Sequence, residues 1–195
     1  YYDIITHLIE VQRDWQQLDN YFYQLAAKED KKLAAYISQF DLTQYQDALT
    51  SSYQAAIEII KQYDYAALYI EFNPENLWDS LFCFCKFYVP KHKLDDEHYS
   101  DDWACFYFDD TLINSPKLHE FSSIYNYTFE KPAIDAYLIA RCLACLCRAY
   151  SNIPIEDVAI CAACHDDEII RIQEFLPPPD KRYDPGKEPQ APEPE

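Results

Sequence analysis

The segment that most constrains the fold is the apolar run that follows Pro132. Residues 133–150, AIDAYLIARCLACLCRAY, carry charge only at Asp135, Arg141 and Arg148. A helix that is apolar on almost every side has to be buried on almost every side. Pro132 stands where the first turn of this helix would begin, a position at which its missing N–H costs nothing. The sequence therefore predicts one central buried helix with the other elements packed around it.

The N-terminal segment carries a second helical pattern. Its apolar residues alternate steps of four and three along the chain: Ile4, Leu8, Val11, Trp15, Leu18, Phe22 and Leu25. This a/d repeat predicts one long helix that ends near the charged run KEDKK at 28–32. Aromatic residues at seam positions favour packing inside the chain's own bundle. A homodimer through residues 4–25 stays open as the alternative.

Further helices follow from shorter signals. A short helix is predicted around Leu33 to Phe40, and TQYQ at 43–46 has the form of a capping box that opens another helix. Pro74, Pro116 and Pro154 also stand where helices would begin, and the helix after Pro74 would run through residues 77–89. Residues 153–176 and the segment WACFYF at 103–108 fit either a helix or a strand. We favour a helix for 153–176, with a hairpin as the alternative.

These patterns predict a mainly α fold with one domain. Residues 1–176 would form a helical-bundle-like domain of about six or seven helices, with room for one small β-hairpin. Residues 177–195 hold seven of the twelve prolines, so we expect an extended tail there.

The net charge of -18 bounds the possible partners. Nucleic acid and anionic bilayers would be repelled, so neither is expected as a partner, and a basic protein surface is the natural complement. The first twenty residues carry charges throughout and no apolar run reaches the length of about 18 residues that a membrane span needs, so we expect a cytoplasmic protein. The eight cysteines read as free thiols in a reducing compartment. No cofactor is expected.

Two cysteine pairs have a spacing that could hold zinc. CLAC at 142–145 and CAAC at 161–164 give the pattern C-x2-C-x15-C-x2-C, and two neighbouring helices could present four thiolates. Against zinc, the pairs lie among Leu, Ala and Ile, and other cysteines stand in apolar runs as small core residues. We therefore favour core packing. The alternative is a zinc-binding protein that uses Cys142, Cys145, Cys161 and Cys164, with His165 as a further candidate.

CAACHDDE at 161–168 also matches two other site patterns. C-x-x-C-H is the attachment sequence of c-type haem, but six further cysteines are unusual for the oxidising compartment that such attachment uses. The pair His165–Asp166 resembles that of the helical HD phosphohydrolases. That family needs a later Asp on the same metal, and the downstream candidates here, Asp180 and Asp184, fall in the proline-rich tail. Neither pattern is favoured.

The stretch LDDEHYSDDWACFYFDD at 94–110 is the most functional-looking segment. It holds seven carboxylates without a Lys or Arg, and aromatic residues are interleaved with them. Carboxylates speed the encounter with a basic partner, and aromatic side chains provide the buried contact area. The residues that we expect to bind a partner are Asp95, Asp96, Glu97, Tyr99, Asp101, Asp102, Trp103, Asp109 and Asp110. A plain solvated loop is the alternative.

The acidic composition, the helical pattern and this stretch together resemble the immunity proteins that neutralise bacterial toxins. The resemblance covers residues 1–176 in general character. It implies a non-enzymatic protein that binds one basic toxin domain and covers its active site. It also implies that the carboxylates of 94–110 pair with Lys and Arg of that toxin. A helical oligomerisation scaffold built on residues 4–25 is a further alternative.

Overall fold

The computed structural model describes residues 1–91, 105–109, 117–125, 130–165, 167–176, 178 and 180. Within these residues the chain forms six α-helices and one five-stranded sheet. The helices are α1 (Tyr2–His7), α2 (Trp15–Glu29), α3 (Lys31–Ser38), α4 (Thr43–Tyr63), α5 (His119–Tyr125) and α6 (Pro132–Asn152). The strands are β1 (Ala67–Asn73), β2 (Asp79–Tyr88), β3 (Cys105–Asp109), β4 (Ala159–Cys164) and β5 (Ile170–Gln173). A π-helical turn (Leu8–Gln12) follows α1, and a 3-10 turn (Pro74–Asn76) follows β1.

The sheet makes the prediction of a mainly α, bundle-like domain wrong. Its strand order is β3-β2-β1-β4-β5. β1 is central and runs parallel to β4 and antiparallel to β2, while β3 and β5 add antiparallel strands on the two outer sides. The fold is therefore a helical layer on a mixed sheet.

The segment after Pro74 contributes most to this error, because it forms a turn and β2 instead of a helix. Phe84 and Phe82 of β2 lie opposite Leu68 and Ile70 of β1. Most positions of β2 are buried on both faces of the sheet, so its apolar residues show no clean alternation. A continuous apolar run of this kind cannot be told from a buried helix by periodicity alone.

Residues 153–176 form the hairpin β4–β5, so the favoured helix is wrong and the alternative is correct. Every residue of β4 is buried. Asp157, with φ of 61°, turns the chain from α6 into this strand. The segment WACFYF also resolves as a strand, since β3 covers Cys105–Asp109, while residues 103 and 104 lie outside the described part of the chain. Pro116 and most of the predicted tail 177–195 lie outside it as well.

The predicted long N-terminal helix is interrupted. α1 passes into the π-helical turn, Arg13 then takes a left-handed conformation with φ of 52°, and α2 begins afresh at Trp15. The Asp14 carboxylate caps α2 by accepting from the Gln17 N–H at 2.9 Å. The break turns Val11 outward to 67% exposure, whereas Leu18 and Phe22 stay fully buried.

α3 and α4 confirm two predicted helices, but the predicted capping box is wrong. Thr43 is the first residue of α4, and its N–H and hydroxyl donate to Asp41 Oδ1 at 2.9 and 2.6 Å. The Gln46 side chain reaches across to α6 and donates to the Cys145 carbonyl at 2.9 Å. Gln46 therefore ties two helices together instead of closing its own.

α6 confirms the predicted central buried helix. Thirteen of its residues are buried, and α2 and α4 pack against it. The same core includes Leu68, Ile70 and Phe72, which β1 turns towards the helices. On the other sheet face, small residues such as Ala67 and Cys161 form a second, smaller cluster. Neither α6 nor any other helix of the described residues is long and apolar enough to cross a membrane.

Candidate functional site

The predicted partner-binding stretch falls almost entirely outside the described residues. Asp109 ends β3, where its backbone pairs with Phe84 of β2. The structure makes no statement about the other predicted members: Asp95, Asp96, Glu97, Tyr99, Asp101, Asp102, Trp103 and Asp110. The described part of this stretch thus lies on the outermost strand of the sheet.

The four candidate zinc ligands do not converge. Cys142 and Cys145 lie on α6, but Cys161 and Cys164 lie on β4, and strand residues three apart point to opposite faces. Cys161 packs with Ala67 on the sheet face away from the helices. Within the described residues, no group of three or more His, Cys, Asp or Glu side chains has an arrangement suited to a metal ion. The spacing pattern assumed two helices, and the strand removes its geometric basis.

Burial also keeps these thiols protonated. Removal from water raises the pKa of Cys142 and of Cys164 far above the ordinary value, and raises the pKa of Cys145 to about 11. Thiolates are the form that binds metals and attacks substrates. These cysteines therefore behave as small core residues, as the apolar surroundings predict.

A histidine and a glutamate from distant parts of the chain meet at the carboxyl ends of β1 and β4. The His165 N–H donates to the Phe72 carbonyl at 2.8 Å, which extends the parallel pairing by one residue. His165 Nδ1 lies 2.9 Å from Glu71 Oε1, and the Tyr69 hydroxyl donates to Glu71 Oε2 at 3.1 Å. The carboxyl ends of parallel strands are the usual ligand-binding place of open α/β sheets.

Several carboxylates lie around this pair. Burial raises the pKa of the Tyr125 phenol, and Cys164 and the charges of Asp135, Glu75 and Asp167 raise it further. Burial likewise raises the pKa of Tyr2, with added effects from Asp167 and Glu168. Because these charges act on shared neighbours, they belong to one region of the surface. We call it the acidic edge, and its members are Glu71, Glu75, Asp79, Asp167 and Glu168.

Burial is the main effect that opposes ionisation of Asp79 within the acidic edge. Burial raises the pKa of the Asp79 carboxyl, the Lys117 ammonium lowers it, and the Glu71 carboxylate raises it again, so that it stands above its ordinary value. Asp79 also accepts a hydrogen bond from the Asn76 side chain at 2.6 Å. Like charges held together in this way favour a cationic partner.

The acidic edge is not arranged for thiol chemistry. Cys83 is the nearest cysteine on β2, directly opposite Tyr69. Burial, with a further effect of Glu71, raises the pKa of the Cys83 thiol to about 12. Its thiolate form is therefore scarce at neutral pH. What the edge offers is negative charge and hydrogen-bond acceptors, which suit the Lys and Arg side chains of another protein.

Sequence reasoning missed the acidic edge, because its members come from segments far apart in the chain. The pair Glu71–His165 spans 94 positions and is assembled only by the parallel register of β1 and β4. The run HDDE at 165–168 was the one available signal. Comparison with known protein families, curated proteins and solved structures gives no match to this chain.

Proposed function

We propose that this chain is a non-enzymatic acidic binding protein that neutralises a basic protein partner, in the manner of a bacterial toxin immunity protein. The observation that carries the proposal is the acidic edge, where Glu71 and Asp79 are close enough for one charge to oppose the other. Burial and, to a smaller extent, this repulsion oppose the ionisation of Asp79 in the free protein, and the repulsion is relieved when cations of a partner approach. Binding of a basic protein would explain why the chain retains carboxylates that lower the stability of its free form.

β3, the described end of the predicted stretch 94–110, lies on the same sheet as Glu71 and Asp79 of the acidic edge, so the two suit one surface. β3 runs antiparallel to β2, so its carboxyl end at Asp109 points towards the start of β2, where Asp79 lies. Asp109 pairs with Phe84, five residues from Asp79, which corresponds to roughly 17 Å along a strand. A toxin domain of ordinary size spans such a distance within one interface.

The state of the cysteines supports a cytoplasmic role. Cys83, Cys142, Cys145, Cys147 and Cys164 are free and buried. Free thiols in this number suit a reducing compartment. A homodimer through residues 4–25 stays a prediction, although Leu18 and Phe22 of that seam are used in the chain's own core.

The proposal is tested by charge reversal at two exposed members of the acidic edge, Glu75→Lys and Glu168→Lys together. The genes beside this one are searched for a large open reading frame that ends in a small basic domain, and that domain, produced as a separate protein, is the probe. We expect binding at least about tenfold weaker at low salt, with the difference shrinking as NaCl is added, because the attraction is electrostatic. Calorimetric titration in a series of NaCl concentrations measures it.

The matched control reverses the same number of charges on the helical layer, with Asp47→Lys and Glu58→Lys on the exposed side of α4. This variant should bind as the unaltered chain does. Equal weakening by both variants would show that only total charge matters and would remove the acidic edge from the interface. Failure of the unaltered chain to protect cells that produce the domain would overturn the neutralising function itself.

The predicted stretch is tested separately with Asp101→Lys and Asp102→Lys. If stretch and edge form one surface, this double variant and the Glu75/Glu168 variant should each weaken binding in a salt-dependent way. Full affinity of the Asp101/Asp102 variant would confine the interface to the acidic edge.

A further inference from the structure

A second region of the surface has the opposite chemistry. A cleft of about 330 Å³ lies between the α3–α4 connection and α6. We call it the Arg148 cleft, and its walls are formed by Phe40, Asp41, Leu42, Thr43, Gln46, Arg141, Cys145 and Arg148. We infer that the Arg148 cleft binds a phosphomonoester, with the phosphate on Arg148 and the organic part on Phe40 and Leu42.

Arg141 provides the fixed wall of the cleft. Its guanidinium donates to the carbonyls of Ile37 and Phe40 and lies 3.6 Å from Asp19 Oδ1. The rings of Phe121 and Tyr137 lie 5.9 and 6.0 Å from its central carbon. These contacts hold a positive charge in place, so its position costs no ordering when an anion binds.

Arg148 lies two turns further along α6, and its situation is unusual. It is half-buried, and within the described residues it forms no ion pair with a carboxylate. The other lysines and arginines described either form an ion pair or are exposed. The chain has 34 acidic and 16 basic residues, so carboxylates are plentiful. A half-buried guanidinium that nevertheless pairs with none of those described suggests that an external anion forms the ion pair.

The start of α4 adds a second source of positive potential. α4 is 21 residues long and its first residue, Thr43, lines the cleft. The Thr43 N–H and hydroxyl already donate to Asp41, so Thr43 has no free donor for a ligand. The N-terminus of α4 therefore attracts an anion only through the helix dipole. Arg148, whose guanidinium also contacts the Cys145 thiol, is the group left to bind the phosphate directly, by N–H donors that match phosphate geometry.

The ligand class follows from the volume and the lining. The cleft is larger than a single phosphate needs, and Phe40 and Leu42 give it apolar contact area. A phosphate ester of a small organic group uses both features, whereas free phosphate uses only the cationic wall.

The experiment titrates the ¹⁵N-labelled full chain with inorganic phosphate and with phenyl phosphate at constant ionic strength. We expect the amide resonances of Thr43 and Gln46 to shift, with phenyl phosphate binding about tenfold more tightly than inorganic phosphate through its apolar contact. Arg148→Gln should weaken binding of both ligands at least about tenfold. Lys61→Gln is the matched control. It removes one positive charge at the far end of α4, away from the cleft, and should leave the affinity for both ligands unchanged.

Asp41→Asn keeps an oxygen that can accept from Thr43 and removes the negative charge from the wall of the cleft. It should strengthen phosphate binding by about threefold or more, a gain that loss of folding cannot produce. The inference is overturned if Arg148→Gln binds as tightly as the unaltered chain, if Asp41→Asn leaves the affinity unchanged or lowers it, or if the shifts centre on another part of the chain. Equal affinity for inorganic phosphate and phenyl phosphate would show that the organic group adds no binding energy. That result would overturn the phosphomonoester as the ligand and leave inorganic phosphate in its place.

Discussion

Asp79 shows at the scale of a single residue how the acidic edge affects stability. Its folded-state pKa lies above the ordinary value because burial outweighs the attraction of Lys117, and the Glu71 charge adds a smaller effect in the same direction as burial. The unfolded chain therefore loses this proton at a lower pH than the folded chain does. Ionisation of Asp79 favours the unfolded state at every pH above the unfolded pKa of about 4.

Asp79→Asn should consequently raise the melting temperature at pH 7. Asparagine removes the charge and keeps an oxygen that can accept from Asn76. The gain should shrink as the pH falls towards about 4, where the unfolded carboxyl takes up its proton. Thermal denaturation of both proteins across this pH range measures the effect. A lower melting temperature of the variant at pH 7 would show that the Lys117 attraction outweighs burial.

Residue chemistry was the part of the site that could be predicted best. The cysteines of the apolar runs are buried core residues, as their neighbours indicate. Whether the Cys161 and Cys164 side chains lie on the same face could not be predicted in this way. Residues i and i+3 share a face on a helix but point to opposite faces of a strand. The chemistry of these residues was readable, whereas their geometry depended on the element that holds them.

At the scale of elements, the errors coincide with left-handed residues that are not glycine. Residues 1–176 contain no Gly, so their turns use other residue types. Arg13 breaks the predicted long helix, Leu77 and Trp78 turn β1 back into β2, and Asp157 leads into β4, all with φ between 52° and 61°. Sequence reading recognises such turns mainly by glycine. Without that signal, helices were extended through three places where the chain turns.

These positions carry backbone strain that can be tested at Arg13. A left-handed conformation costs an L-residue about 1–2 kcal/mol, and glycine avoids most of it. Arg13→Gly should therefore stabilise the protein by about 0.5–1 kcal/mol, after the extra entropy of glycine in the unfolded chain is subtracted. Urea denaturation measures the free energy of unfolding.

Gln12→Gly is the matched control for Arg13→Gly. Gln12 is the exposed neighbour and belongs to the π-helical turn, so glycine there should destabilise by about 1 kcal/mol. Destabilisation by both substitutions would mean that the Arg13 conformation carries no strain.

At the scale of the whole molecule, charge is distributed unevenly. The acidic edge places five carboxylates beside the sheet, while the exposed side of α2 carries uncharged residues such as Gln16, Asn20 and Gln24. A net charge of -18 on a chain of 195 residues produces repulsion within the folded state. A partner that brings positive charge to the sheet side would reduce this repulsion most.

Salt should therefore stabilise the free protein. Raising NaCl from about 0.01 M to about 0.5 M shortens the screening length from about 30 Å to a few Å, so the repulsion between carboxylates falls. We expect the melting temperature to rise over this range, and to rise less for the Glu75/Glu168 charge reversal described above. Differential scanning calorimetry measures both. A melting temperature that falls with NaCl would show that attractive ion pairs dominate the surface.

The sequence by itself determined the features that depend on composition and on single-element pattern. The burial of α6, the helices α3 and α4, the acidic surface and the core cysteines all follow from which residue types stand at which spacing, because burial and charge are local properties. Only the tertiary structure decided that 74–89 and 158–175 form strands, that β1 lies beside β4, and that His165 meets Glu71. Strand pairing joins segments up to a hundred residues apart, and no local spacing encodes which segments pair or in which register.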